Sequence, residues 1–167
     1  ERGGSCGVPG LIAVAQTTDG ALENLKAVAR GDVEMGLSQA DLAAWAYHAT
    51  GLFAGEPPLS NLRVIARLYP ENVHLVTLKD SGIRSLADLK GKIVSVGPPG
   101  AGTVVTVRLL MSVFAVPWGA VRMETLELAA AAAALEKKTI AGFFLVSGAP
   151  VLELEDLARR LPISIVP

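Results

Sequence analysis

The segment KIVSVGPPGAGTVVTVRLL, Lys92 to Leu110, sets two prolines and three glycines between an apolar run and a β-branched segment that can be helical. Strand, tight loop, helix is the arrangement in which backbone N–H groups cradle a phosphate. From Gly97 to Gly102 the spacing matches the nucleotide-binding pattern G-x-x-x-x-G-K-[ST], but the next residue is Thr103. The lysine that would reach the β and γ phosphates is missing. The run AGFFLVSGAP, from Ala141, ends in Ser and Gly and lacks the acid that would hold magnesium. Glycines let a ligand approach the backbone closely, and Gly97 to Gly102 holds more glycine and proline than a helix cap needs. The loop predicts a site for a small anion and no nucleotide hydrolysis.

Other chemistries find less support. Cys6 is the only cysteine, which excludes an internal disulfide and any CxxC site. His48 and His74 stand outside metal-ligand spacing, so neither a metal nor a cofactor is expected. No serine or cysteine has a base beside it, so nucleophilic catalysis is not expected either. The net charge of -1, with no basic run and only two Trp, two Tyr and four Phe, gives neither the field nor the stacking surfaces of a nucleic-acid binder. Hydrophobic residues make up 51% and charged residues 19% of the 167, a composition that folds rather than staying disordered. The longest apolar run, Thr139 to Leu152, is shorter than the ~20 residues of a spanning helix and contains glycine and proline, so no membrane span is encoded. The opening residues show no charged segment followed by an apolar one, so a cytosolic protein or a mature or trimmed chain is expected.

The elements that must carry the glycine loop follow from hydrophobic periodicity. Strands are expected at 11–16, 33–37, 62–69, 73–78, 93–96, 121–126, 140–146 and 163–166. Helices are expected at 21–30, from Asp41 toward Gly51, at 104–114, through the alanine run to Lys138, and at 150–160, with a short one opened by Ser85 and Asp88. Strands separated by helices imply an α/β fold with mostly parallel sheets and helices on both faces. Ligands bind such sheets beyond the carboxyl ends of the strands. The loops there are TTDGA, SQAD, GPPGAGT and SGAP, each leading into a helix. Their N–H groups and helix dipoles, brought together, make an anion site, although any one of them alone also reads as an ordinary cap.

TDGALENL from Thr18, GLSQADLAAWAYHATG from Gly36, NLRVIARLYPENVHLVTLKDSGIRSLADLKGKIVSVGPPGAGT from Asn61 and AGFFLVSGAP from Ala141 resemble, in order and spacing, the solute-binding proteins of TRAP transporters of the TAXI type. The resemblance implies a periplasmic-binding-protein fold of the second type, with two α/β lobes closing on a small carboxylate, glutamate-like or dicarboxylic. It implies delivery of that ligand to membrane transporter subunits and a periplasmic or extracytoplasmic location. Residues 1–77 would be a partial first lobe and 78–167 the second; the first is expected to be incomplete. Carried over residue by residue, the ligand positions are Thr18, Asp19, Gly20 and Ala21; Gln39, Ala40 and Asp41; Gly100, Ala101, Gly102 and Thr103; with Tyr69 and Ser147 to Ala149 as weaker candidates. Ala21, Ala40 and Ala101 stand where the family pattern has serine, and Asp19 where it has glycine. Each lost hydroxyl removes about 0.5–1.5 kcal/mol of net hydrogen bonding, and Asp19 repels an anion. A ligand-sensing domain of a regulator, and a module that no longer binds solute, are the alternatives.

Overall fold

The computed structural model describes Val8 and residues 10–167; Cys6 and most of the opening loop lie outside the described residues. Five strands, β1 (Asn72–Leu78), β2 (Ile93–Ser95), β3 (Arg122–Glu124), β4 (Gly142–Ser147) and β5 (Ile163–Val166), form one sheet in the order β3-β2-β4-β1-β5. Alternate residues point to opposite faces of a strand, and these strands are apolar on both. Val76 and Phe143 project to one face, where helices α4 (Leu128–Glu136) and α5 (Leu152–Arg160) cover them with Ala131, Leu135, Leu154 and Leu157. Leu75, Val94 and Phe144 project to the other, beneath Val107 and Met111 of α3 (Gly102–Val113).

The α/β class and the helices on both faces agree with the sequence reading, but the sheet is mixed rather than mostly parallel. β2 runs parallel to β3 and β4, whereas β1 runs antiparallel to both β4 and β5. Hydrophobic pattern specifies a strand's faces, not its neighbours. The chain from β1 to β2 carries a single 3-10 turn, Leu86–Leu89, and returns past the end of β4 instead of making a helical crossover. Gly142 lets β1 come close, since a Cβ there would lie 2.8 Å from the Val76 carbonyl oxygen.

A second correction concerns the segments 11–16, 33–37 and 62–69, none of which is a strand. Their side chains have the expected pattern, but a strand exists only by pairing, and no ladder reaches them. Ile12, Val64 and Ile65 are accordingly 87%, 86% and 80% exposed. Among the described residues the part ahead of β1 is helical: α1 (Ala21–Arg30) and α2 (Ala40–His48) bury Leu25, Leu42 and Ala46 against Phe53 and against Val105 of α3. This helical part is anchored on the first turns of α3.

The turn at Leu86–Leu89 has the expected capping box. Ser85 Oγ and the N–H groups of Arg84 and Ser85 all donate to one oxygen of Asp88, at 2.9, 3.0 and 2.9 Å. The Arg84 N–H first, then the Ser85 hydroxyl, hold the Asp88 carboxyl below its ordinary value. A folded-state pKa below the unfolded one contributes stability at neutral pH that is lost as pH falls through the folded value. Asp88→Asn is therefore expected to lower Tm at pH 7, with the gap to the wild type narrowing below about pH 4. Thermal unfolding followed by circular dichroism at pH 7 and pH 3 checks this, and an equal gap at both would refute it.

Candidate functional site

Because β2, β3 and β4 are parallel, their carboxyl ends share one edge of the sheet, and antiparallel β1 begins at that same edge, with Asn72 opposite Ser147. The loop from β2 into α3, the loop after β4 and the lead-in to β1 all lie there. Tyr69 rests at this edge on Gly148, where a Cβ would be 3.2 Å from its ring.

The starts of α1 and α2 are packed against the β2–α3 loop. A Cβ on Gly20 would sit 3.1 Å from the Gly100 carbonyl oxygen, and a Cβ on Gly100 would sit 3.0 Å from that of Asp19. Backbone meets backbone here, at two glycines with φ of +122° and +80°, a region other residues avoid. Across from them the Gln39 carboxamide lies directly on Gly102, where any side chain would overlap it. Residues 18–21, 39–41 and 100–103, far apart in sequence, thus lie side by side. None of the three N-cap residues, Gly20, Gln39 and Ala101, caps its helix with a side chain.

Local bonds distinguish the three helix starts. At α1 the Asp19 N–H donates to the Glu23 carboxylate at 2.7 Å, the Gly20 N–H to Thr18 Oγ1 at 3.3 Å, and the Thr18 hydroxyl to Asn24 Oδ1 at 2.6 Å. At α2 the Leu42 N–H donates to the Asp41 carboxylate at 2.8 Å. These two helices carry their own negative charge, as helix starts favour. α3 has no acid in its first turn; its first residues are Gly102, buried, and Thr103, half-buried. The start of α3 is therefore the one that has dipole and N–H groups without a built-in carboxylate, and Asp19 is the acidic residue beside its loop. Glu23 and Asn24 take part in this geometry although sequence reasoning passed over them; the signal was an acid in the first turn four residues after Asp19. The Gln39–Gly102 contact left no trace in the sequence.

Two depressions lie elsewhere. One of about 380 Å³ opens at the opposite sheet edge, beside Lys92 and Lys138, and one of about 500 Å³ beneath Arg108, whose guanidinium stacks 4.5 Å from the Trp118 ring. Neither gathers helix starts. Among the described residues no three His, Cys, Asp or Glu side chains group to hold a metal, and no helix is long and apolar enough to cross a membrane.

The fold is that of a periplasmic-binding-protein-like α/β domain. Such a domain occurs in the putative sulfonate ABC transporter periplasmic sulfonate-binding protein SsuA from Methylobacillus flagellatus KT. It is 24% identical, with a TM-score of 0.50 over 58% of this chain and 28% of that one. The periplasmic aliphatic sulphonate binding protein SsuA from Escherichia coli is 16% identical over 56% of this chain and 31% of that one, at a TM-score of 0.49. An ancestral arginine-binding protein bound to arginine is 23% identical over 59% and 41%, at 0.46. The matched part spans less than half the length of each of these proteins. The chain belongs to the NMT1-like family, whose model matches residues 9–167.

Proposed function

We propose that this chain is part of an extracytoplasmic solute-binding protein that captures a small organic anion at the start of α3 and presents it to membrane transporter subunits. The observation that carries the reading is the meeting of three helix starts at one sheet edge, of which only α3 lacks an acid in its first turn. An anion there gains about 0.3–1 kcal/mol from the helix dipole when exposed and up to about 2 when partly buried. Gly100 and Gly102 allow it to approach the backbone, and Thr103 offers a hydroxyl. Thr18 to Ala21, Gln39 to Asp41 and, from the other side of the cleft, Tyr69 would surround it, with the lobes dividing ahead of β1, all of which lies in the five-stranded sheet, rather than at residues 77 and 78. A carboxylate ligand and a TRAP transporter of the TAXI type are the finer form of this proposal, resting on the sequence resemblance. An alkanesulfonate has the same oxygen-rich anionic head and belongs in the same test.

A second reading is a module that no longer captures solute. Asp19 beside Gly100, and the alanines at 21, 40 and 101, favour it. Native mass spectrometry of the intact protein, followed by calorimetric titration with glutamate, succinate and ethanesulfonate, separates the two. Retention of a small anion supports capture, and no uptake of any of the three supports the degenerate module. Magnesium ATP is expected to give no thermal shift and no phosphate release, because Thr103 replaces the loop lysine; a magnesium-dependent shift would count against the proposal.

A further inference from the structure

Gln39 is an unusual helix start. It occupies the N-cap of α2, yet its side chain makes no hydrogen bond to that helix. Instead its carboxamide crosses to α3. The three atoms nearest a Cβ placed on Gly102 are Gln39 Oε1, Cδ and Nε2, the last at 3.2 Å. Oε1 is buried and has no hydrogen-bond partner. Gly102 is helical and its φ is not positive, so the backbone itself does not demand glycine there; what fills the space of a Cβ is the movable end of the Gln39 side chain.

We infer that Gln39 is a displaceable stopper on the amino terminus of α3. Resting on the solute-binding reading, this adds what controls access to the site. The carboxamide oxygen brings a partial negative charge to the positive end of the helix, the end an anion would seek. A carbonyl oxygen buried without a donor has given up water and gained no bond in return, so the closed arrangement is held weakly. A full negative charge interacts with the helix end more strongly than an amide dipole. An arriving anion therefore displaces the carboxamide, which swings out by rotation of its own side chain and leaves the N–H groups of Gly102 and Thr103 to the ligand. Gly102 serves both states: it makes room for the stopper when the site is empty and for the ligand when it is full.

Two measurements on the chain as it exists test this. The first is a thermal double-mutant cycle with Gly102→Ala and Gln39→Ala. In the Gln39→Ala background the space is free, alanine is the better helix former, and Tm is expected to rise by about 1–2 °C. In the wild-type background the methyl group must first displace the carboxamide, and the change in Tm is expected to be less favourable than that. Equal changes in the two backgrounds overturn the contact, whatever the chain binds. The second is the Tm shift caused by sodium sulfate against chloride of equal ionic strength. Gln39→Ala is expected to show a larger sulfate shift than the wild type. Equal, non-zero shifts overturn the stopper while leaving the anion site standing; no shift in either protein overturns both.

Discussion

Gly102→Val abolishes solute capture while leaving the sheet intact: that is the expected result for the largest functional effect in this protein. Gly102 is buried at the first position of α3 with the Gln39 carboxamide against it. Valine adds two γ-methyl groups where one β-carbon already overlaps. The carboxamide has to leave, and the valine then stands over the N–H groups that the anion needs. Loss of at least about tenfold in affinity, equivalent to about 1.4 kcal/mol, is expected. Thr103→Ala should cost less, about one hydrogen bond or 1 kcal/mol. Calorimetric titration of the intact protein with the anion found on it, together with an unchanged far-ultraviolet circular dichroism spectrum, checks both. Unchanged affinity in Gly102→Val would reduce the glycine loop to a capped turn.

The largest stability effect should come from Phe143→Ala. Phe143 is 1% exposed on the central strand β4, flanked in register by Val76 and Ser95, and packs in the cluster with Leu135 and Leu157. Truncating a buried phenylalanine costs about 3–5 kcal/mol, because the lost contacts leave a cavity that the sheet cannot close. That is a large part of the 5–15 kcal/mol available to a typical domain, and a fall in Tm on the order of 10 °C follows. Val64→Ala, at a residue 86% exposed, should change stability by less than about 0.5 kcal/mol. Chemical denaturation of the three proteins side by side tests the contrast, and comparable losses at both sites would show that Val64 is covered in solution.

That contrast also shows which part of the fold could be read in advance. Phe143 and Val64 both belong to apolar runs bounded by turn residues, and the sequence treats them alike. Periodicity placed α1 at 21–30, where it is, and put β5 at 163–166. It located the capping box at Ser85 and Asp88 because a cap is a matter of four neighbouring residues. It placed strands at 11–16, 33–37 and 62–69 by the same criterion and there it was wrong, since pairing depends on residues far away. The antiparallel course of β1 was hidden for the same reason. At the site, the three loops were visible as Gly-, Ser- and Asp-rich helix starts. Their meeting is a tertiary contact between Gly20 and Gly100 and between Gln39 and Gly102, and no local signal encodes it.

The position of β1 bears on how the protein acquires its structure. Among the described residues β1 is the first strand, yet both of its neighbours in the sheet, β4 and β5, are the last two. During synthesis it emerges before either of these neighbours, with unpaired N–H and C=O groups along both of its edges. Pairings between segments so distant in sequence carry a high loop-closure cost and slow the search for the native topology. Until β4 and β5 arrive, Val73, Leu75 and Val76 are available to any other chain with an open edge. The nascent protein therefore passes through a stage in which a strand destined for the interior of the sheet has neither of its partners. A holding chaperone would find its natural target at residues 72–78, and removing β5 should show itself first as aggregation, before any loss of ligand recognition.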